Sequence, residues 1–125
     1  MPEESTTVPN PMQPITIEPL TSRVRVHLAG LTLAESCAAV VVKDGAQDVR
    51  IYFPRQDVDV TMMERSSHVT TSPDKGERTY YHLPDAGGRA ENAAWSYENP
   101  HPSFAVIKGF ISFDPRCVDW IQIET

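Results

Sequence analysis

Apolar and polar residues alternate along short stretches of this sequence with a period of two residues. The clearest stretch is VRVHL at residues 24–28, where apolar side chains occupy every second position. Successive side chains of a β-strand point to opposite faces, so this period indicates a strand with one buried face. The Ala29-Gly30 pair that follows predicts a turn into a second strand, as in a hairpin.

Similar stretches recur at intervals of about 8–12 residues, and turn residues such as Asp44-Gly45 separate them. They predict about nine or ten short strands, one of them at residues 58–62, with at most one short helix at about residues 103–108. The fold class is therefore all-β, with two antiparallel sheets in an open sandwich or barrel. Residues 1–14 contain four prolines and no periodic apolar pattern. We expect them to form a disordered tail, and residues 15–125 to form a single β domain.

The charge of the chain argues against nucleic acid as a partner. The net charge is −6, and the 11 Lys and Arg residues are scattered rather than clustered. An acidic surface of this kind repels phosphate backbones. The longest apolar run, residues 38–42, is far shorter than the roughly 20 residues of a membrane helix. No secretory signal pattern opens the chain, so we expect a cytoplasmic protein with neither nucleic acid nor membrane as partner.

The cysteines and histidines give no sign of a metal site. Cys37 and Cys117 lie far apart, and in a cytoplasmic protein they are expected to be reduced thiols. Neither they nor the four histidines show the spacing of metal ligands. The glycine-rich motifs of P-loop and Rossmann proteins are absent as well. We therefore expect neither a metal nor a cofactor.

A turn in the middle of the chain is the first candidate for function. It lies in the stretch TSPDKGERTYYHL at residues 71–83. Pro73 and Gly76 favour a tight turn with Lys75 at its tip. Such a turn can be a simple connection. It can also aim backbone N–H groups and a lysine charge at an anion or a carbonyl oxygen, with Ser72 as a hydroxyl donor.

Aromatic residues near this turn are the second candidate. Tyr80 and Tyr81 point to opposite faces of their strand, so one is expected in the core and the other at the surface or in a pocket. Trp95 and Tyr97 are two residues apart and share a face. These rings are either core aromatics or the wall of a ligand site. The candidate ligand-binding residues are Ser72, Lys75, Gly76, Tyr80, Tyr81, Trp95 and Tyr97.

Four short motifs carry a family resemblance. They are YFPRQDV at 52–58, SPDKG at 72–76, AAWSY at 93–97 and GFISF at 109–113. Their order resembles the domain of unknown function 427 family over nearly the whole folded part, from Ile15 to about Glu124. Members are mostly small bacterial proteins. The resemblance implies a β-tent, in which two antiparallel sheets are pinned at one edge and splayed at the other. Because paired cysteines are absent, it implies a zinc-free version.

The resemblance also bears on the candidate site. Some β-tents hold small ligands in a cage of aromatic side chains between the sheets, a role that would fall here to Trp95, Tyr97 and one of the two tyrosines. The turn of the family usually reads Cys-Pro-aromatic-Lys-Gly, and this chain has Ser72 and Asp74 in place of the cysteine and the aromatic residue. Cysteine chemistry is therefore not expected at this turn.

Three kinds of function remain open from the sequence. A small-molecule binding module would hold an anionic or carbonyl end of its ligand with Lys75 and stack the remainder on aromatic rings. An enzyme would use Lys75 in the same cleft as electrophile, base or Schiff-base nucleophile, with His68 or His82 moving protons. An interaction or structural domain would pair an open sheet edge with a partner or with a second copy, giving a homo-oligomer. We favour the binding module.

Overall fold

The computed structural model describes residues 15–45 and 48–124, and the predicted tail of residues 1–14 lies outside them. Strands make up most of the described part. They are β1 (Ile15–Leu20), β2 (Val24–Leu28), β3 (Leu31–Ser36), β4 (Ala39–Asp44), β5 (Asp48–Phe53), β6 (Glu64–Ser72), β7 (Gly76–His82), β8 (Ala94–Pro100), β9 (Ile111–Phe113) and β10 (Trp120–Ile123).

The strands form two antiparallel sheets. The larger has the order β1-β4-β5-β9-β8-β7-β6, and the smaller has the order β10-β2-β3. β1 and β6 are the edges of the larger sheet, which does not close into a barrel. The predicted fold class, an all-β structure of two open antiparallel sheets, is confirmed.

The β2–β3 hairpin shows how local sequence produces this fold. Ala29 and Gly30 connect the strands, with Leu28 paired to Leu31 across the turn. Both turn residues have positive φ, 55° at Ala29 and 77° at Gly30. Two-residue hairpin loops with positive φ at both positions match the twist of the flanking strands. The predicted turn at this dipeptide is confirmed.

The main core lies between the two sheets. Val24, Val26 and Leu28 alternate inward from β2 and are at most 1% exposed. On the facing sheet, Phe53 and Phe113 pack with their ring centroids 5.7 Å apart. Fully burying a side chain of this size stabilises the fold by roughly 1.5–3 kcal/mol. The period-two pattern places such side chains on the facing surfaces of the two sheets, and their burial holds the sheets together.

A second apolar cluster covers the opposite face of the larger sheet. Tyr52 and Trp95 belong to it, whereas their chain neighbours Phe53 and Ala94 belong to the main core. This division follows from the alternation of side chains along a strand. The 3₁₀ segment Pro102–Ile107 packs buried apolar side chains onto this second cluster. We call the face that carries the second cluster the outer face.

The helical content exceeds the prediction of at most one short helix. Pro102–Ile107 coincides with the predicted helix and has its proline at the first turn, where a proline is tolerated. The sequence pattern does not predict the three further 3₁₀ segments, Arg55–Asp57, Val60–Met62 and Pro84–Arg89. In the described part of the chain, no helix is long and apolar enough to cross a membrane.

Two strand predictions need correction. The strand predicted at residues 58–62 is wrong, since only Val58 forms an isolated bridge, to Ala34. The side chain of Asp59 accepts a hydrogen bond from the N–H of Thr61 and turns the chain into a 3₁₀ segment instead. Strand β6 was not predicted, because most of its residues are exposed and show no apolar alternation.

Candidate functional site

A row of aligned side chains crosses five strands of the larger sheet on its outer face. The register pairs Val40 with Tyr52, and Tyr52 with Ser112. It continues from Ser112 to Trp95, and from Trp95 to Tyr80. Directly opposite residues on neighbouring strands share a face and contact each other. Two of the predicted ligand-binding residues, Tyr80 and Trp95, are therefore neighbours on the outer face.

The central rings of this row are buried. Trp95 is 5% exposed and Tyr97 is 1% exposed. Trp95 Nε1 donates a hydrogen bond of 3.0 Å to the Tyr52 hydroxyl. Burial raises the pKa of Tyr52, which keeps this hydroxyl protonated at neutral pH. Trp95 and Tyr97 thus lie on the outer face, not between the sheets as the resemblance implies, and their burial leaves only the surface above them open to a ligand.

Arg78 lies above these rings. Its Cζ atom is 4.7 Å from the ring centroid of Trp95, 5.2 Å from that of Tyr97 and 5.7 Å from that of Tyr80. Its Nε donates to the Tyr97 hydroxyl at 2.9 Å, and its Nη1 donates to the Tyr80 hydroxyl at 3.3 Å. We call Arg78, Tyr80, Trp95 and Tyr97 the arginine–aromatic cluster. Attraction between a guanidinium and aromatic faces holds it together.

Phenols rather than carboxylates surround the charge of Arg78. Burial disfavours the charged guanidinium, but Tyr97, Tyr80 and Tyr52 outweigh it, so the pKa of Arg78 is raised. Within the described ranges, Nη2 of Arg78 donates to no residue and no carboxylate forms an ion pair with it. A half-buried cation that keeps an uncommitted donor is suited to accept an anion.

Arg78 was not among the sequence-predicted site residues. A signal for it was available, because Arg78 lies two residues before Tyr80 and so shares its strand face. An arginine in a polar stretch is usually solvated, so the sequence alone does not single this one out.

Three further side chains form the rim of the cluster. The His68 and Tyr80 rings lie 4.7 Å apart, and the Thr70 hydroxyl is 3.2 Å from that of Tyr80. His68 and Thr70 are both exposed on the edge strand β6. On the other side, the Arg50 guanidinium lies 5.9 Å from the Trp95 centroid. The surface above the cluster therefore combines positive charge with an accessible pair of rings.

Lys75 lies beside the cluster, but its amine is not presented to solvent. The residue is 7% exposed, and its Nζ is 2.8 Å from Asp44 Oδ2. The same nitrogen lies 5.9 Å from the ring centroid of Phe104, which packs in one buried cluster with Trp95. The sequence predicted this amine at the open tip of the turn. It is instead part of an ion pair that ties the turn to the end of β4.

Ser72 and Gly76 shape the turn that carries Lys75. The Ser72 hydroxyl accepts from the N–H groups of Asp74 and Lys75, at 3.2 and 3.4 Å. Gly76 has a φ of +106°, and a Cβ atom there would lie 3.3 Å from the backbone nitrogen of His101. That nitrogen donates to the carbonyl oxygen of Lys75 at 2.9 Å. Ser72 thus makes contacts within the turn, whereas Gly76 lies against the end of β8.

Tyr81 lies on the face opposite Tyr80, in line with the alternation of the strand. Its hydroxyl donates to the carboxylate of Glu98. The same carboxylate accepts from Arg55 Nη2 at 3.2 Å and from Arg65 Nη2 at 3.3 Å. We call Arg55, Arg65, Tyr81 and Glu98 the Glu98 cluster. It is separate from the arginine–aromatic cluster because it lies on the other face of the sheet.

Protonation within the Glu98 cluster follows from these contacts. Burial disfavours the ionised carboxylate of Glu98, but hydrogen bonds from Tyr81 and Arg65 and the charges of Arg65 and Arg55 outweigh it and lower its pKa. Burial and the hydrogen bond to Glu98 raise the pKa of Tyr81. At neutral pH the cluster therefore holds one carboxylate, one phenol and two guanidinium groups, with one net positive charge.

A cavity of about 540 Å³ lies elsewhere, along the edge strand β3. Much of its charged lining is already paired, with Arg23 3.6 Å from Glu35 and the Ser36 hydroxyl 2.7 Å from Asp57. None of the predicted ligand-binding residues lines it. Among the His, Cys, Asp and Glu side chains of residues 15–45 and 48–124, no group of three is placed to hold a metal ion. The arginine–aromatic cluster is thus the stronger candidate on chemical grounds.

The fold and the two polar clusters define a class of protein: an open two-sheet β protein with an arginine-containing cluster on each face of its larger sheet. Residues 16–124 match the family described as Domain of unknown function (DUF427). The match covers most of the chain, so the protein belongs to this family, and the resemblance of its motifs is confirmed. No curated protein matches the chain. The description of the family names no activity, so a function has to be argued from the geometry.

Proposed function

We propose that this protein binds a small anionic or carbonyl-containing molecule at the arginine–aromatic cluster, with Arg78 as the group that receives it. One observation carries the proposal. Each of the other seven arginines forms an ion pair with Asp or Glu at 2.7–3.7 Å. Within residues 15–45 and 48–124, Arg78 has phenol hydroxyls in place of such a partner.

The surroundings of Arg78 favour a carboxylate attached to a flat body. Nη2 of Arg78 is a charged donor that Tyr97 and Tyr80 leave free, and such donors form their strongest hydrogen bonds with carboxylates and other anions. The exposed His68 and the half-buried Tyr80 lie next to it and offer ring faces for stacking. Trp95 and Tyr97 support the guanidinium from below, rather than contacting the ligand as the sequence predicted.

The cluster also lowers the entropic cost of binding. A free arginine side chain carries about 2 kcal/mol of rotamer entropy. Three rings and two hydroxyls already restrict Arg78, so less freedom is lost when a ligand binds. In this proposal Lys75, Ser72 and Gly76 are positioning residues, because they hold the turn from which β7 starts.

Thermal denaturation with matched small molecules tests the proposal. Benzoate carries the charge and the ring, cyclohexanecarboxylate lacks the flat ring, and benzamide lacks the charge. Benzoate at a hundredfold its dissociation constant should add about 2.7 kcal/mol to the free energy of unfolding. We expect this in the wild type and in the control Arg116→Gln, and not in Arg78→Gln. The proposal would be contradicted if benzoate stabilised Arg78→Gln as much as the wild type. It would also be contradicted if no aromatic carboxylate stabilised the wild type.

A second candidate function is association through strand β6. This edge strand is nine residues long, pairs on one side with β7, and exposes 45% of Val69. Exposed edges of this length can add a strand from a second copy. Light scattering over a wide concentration range tests it, and a strict monomer would count against it. The enzyme hypothesis is not carried further, because Asp44 holds the amine of Lys75.

A further inference from the structure

The Glu98 cluster brings two arginines to one carboxylate. Arg55 comes from the 3₁₀ segment after β5 and Arg65 from β6, while Glu98 lies on β8. Arg55 Nη2 is 3.2 Å from Glu98 Oε2. Arg65 reaches both carboxylate oxygens, at 3.4 and 3.3 Å. One carboxylate thus orients two guanidinium groups that belong to separate elements.

The ring of Tyr81 keeps the two guanidinium groups close to each other. Arg55 Cζ lies 5.9 Å from the ring centroid and Arg65 Cζ lies 6.0 Å from it. Both side chains remain accessible, 40% exposed for Arg55 and 63% for Arg65. The cluster is therefore positively charged and open to solvent, on a chain whose net charge is −6.

Both arginines keep donors that no described residue uses. Arg55 donates through Nη2, to Glu98 and to the hydroxyl of Ser96 at 3.3 Å, while its Nε and Nη1 bind no described residue. Residue 109 is a glycine, and a Cβ atom there would lie 4.0 Å from Arg55 Nε. No side chain from that position therefore covers the donor. Arg65 keeps its Nε in the same way.

We propose that the Glu98 cluster is a phosphate-binding site, in which Arg55 and Arg65 bind the phosphate and Glu98 positions the two arginines. A carboxylate has only two oxygens and matches a single guanidinium fork. A tetrahedral phosphate offers more acceptor oxygens and can take the remaining donors of both arginines at once. Its charge of about −1.5 to −2 at pH 7 is also attracted by the net positive charge of the cluster. The phosphate is either inorganic or part of a monoester.

This site does not depend on the one proposed at Arg78. It lies on the opposite face of the larger sheet and uses different arginines. Phosphate binding and carboxylate binding can therefore succeed or fail separately.

Calorimetric titration with sodium phosphate, at an ionic strength held constant with sodium chloride, tests the proposal. We expect saturable binding to the wild type, and binding weaker by about tenfold or more in Arg65→Gln, since a hydrogen bond to a charged group contributes about 1.5–3 kcal/mol. Arg65→Lys keeps the charge without the planar guanidinium, so its affinity for phosphate should lie between those of the wild type and Arg65→Gln. Arg65 is largely exposed, so these variants are expected to fold.

Two controls separate this site from other arginines and from general salt effects. Arg116→Gln should bind phosphate as the wild type does. A titration of Arg78→Gln with phenyl phosphate, in which the site proposed at Arg78 cannot take up the charge and the ring, then distinguishes a site for the free ion from one that needs the organic part of a monoester. The proposal is overturned if neither phosphate nor phenyl phosphate binds saturably, if Arg65→Gln binds as tightly as the wild type, or if Arg78→Gln abolishes binding.

Discussion

The guanidinium carbon of Arg78 lies 4.7 Å from the ring centroid of Trp95, and the indole N–H of that tryptophan is bonded to Tyr52. The contact joins β7 to β8 and, through the phenol, to β5. A cation stacked on a ring is worth about 0.5–2 kcal/mol, more as water is excluded. The position of the proposed ligand-binding charge thus depends on buried rings that a ligand does not touch.

Replacing Trp95 by phenylalanine should leave the buried Tyr52 hydroxyl without its donor. We expect the free energy of unfolding in urea to fall by about 1–3 kcal/mol. Trp120→Phe is the matched control because Trp120 is 56% exposed, and its effect should stay within about 0.5 kcal/mol. Equal effects of the two substitutions would show that the indole hydrogen bond does not stabilise the fold.

The ion pair of Lys75 with Asp44 should stabilise the fold. A double-mutant cycle of Lys75→Met and Asp44→Asn is expected to give a coupling energy of about 1–2 kcal/mol, because the lysine side chain is 9% exposed. The pair of Lys43 with Glu18, exposed to 48% and 55%, should couple by less than about 0.5 kcal/mol. Strictly additive effects at Lys75 and Asp44 would identify an accessible amine instead, as first predicted from the sequence.

The Glu98 cluster makes stability depend on pH in the acid range. The folded-state pKa of Glu98 lies below its ordinary value of 4.5, so the ionised group stabilises the fold above that value. The contribution is lost as the pH falls through the folded-state pKa. Glu98→Gln should therefore lower the free energy of unfolding at pH 7, by about 1 kcal/mol since the site is partly exposed. Unfolding curves at pH 7 and pH 3 check this, and a difference that does not shrink at pH 3 would contradict it.

The turn before β7 should tolerate no side chain at residue 76. Gly76→Ala places a Cβ atom 3.3 Å from the backbone nitrogen of His101, at a φ of +106°. The strain should lower the free energy of unfolding by about 1–3 kcal/mol, as measured by thermal or urea unfolding. At Gly88 the φ is not positive and no atom lies within 4 Å of the added Cβ, so Gly88→Ala should be close to neutral. Similar losses from both substitutions would mean that the close approach at Gly76 is not the cause.

Local pattern accounts for what the sequence predicted correctly. The two-residue spacing of Trp95 and Tyr97 places their rings on one sheet face, and alternation places Tyr80 and Tyr81 on opposite faces, as in the structure. The dipeptide Ala29-Gly30 likewise contains the conformational information for its hairpin.

Sheet topology accounts for what could not be predicted. Asp44 and Lys75 are 31 residues apart and come from opposite sides of three intervening strands, so no local pattern pairs them. Arg55, Arg65, Tyr81 and Glu98 meet for the same reason, because the strand order brings β6, β7 and β8 together. Among the described residues, Arg78 is surrounded by phenol hydroxyls rather than carboxylates, and this is a property of the assembled sheet face, not of its neighbours in the chain.

The fluorescence of Trp95 tests the central claim most directly. The chain has two tryptophans, so Trp120→Phe leaves Trp95 as the single reporter beneath Arg78. Titration of this variant with benzoate should change the Trp95 emission saturably, whereas benzamide should not, and adding Arg78→Gln should abolish the response. Emission that stays constant, or responds equally after Arg78→Gln, would contradict the assignment of Arg78 as the group that binds the ligand.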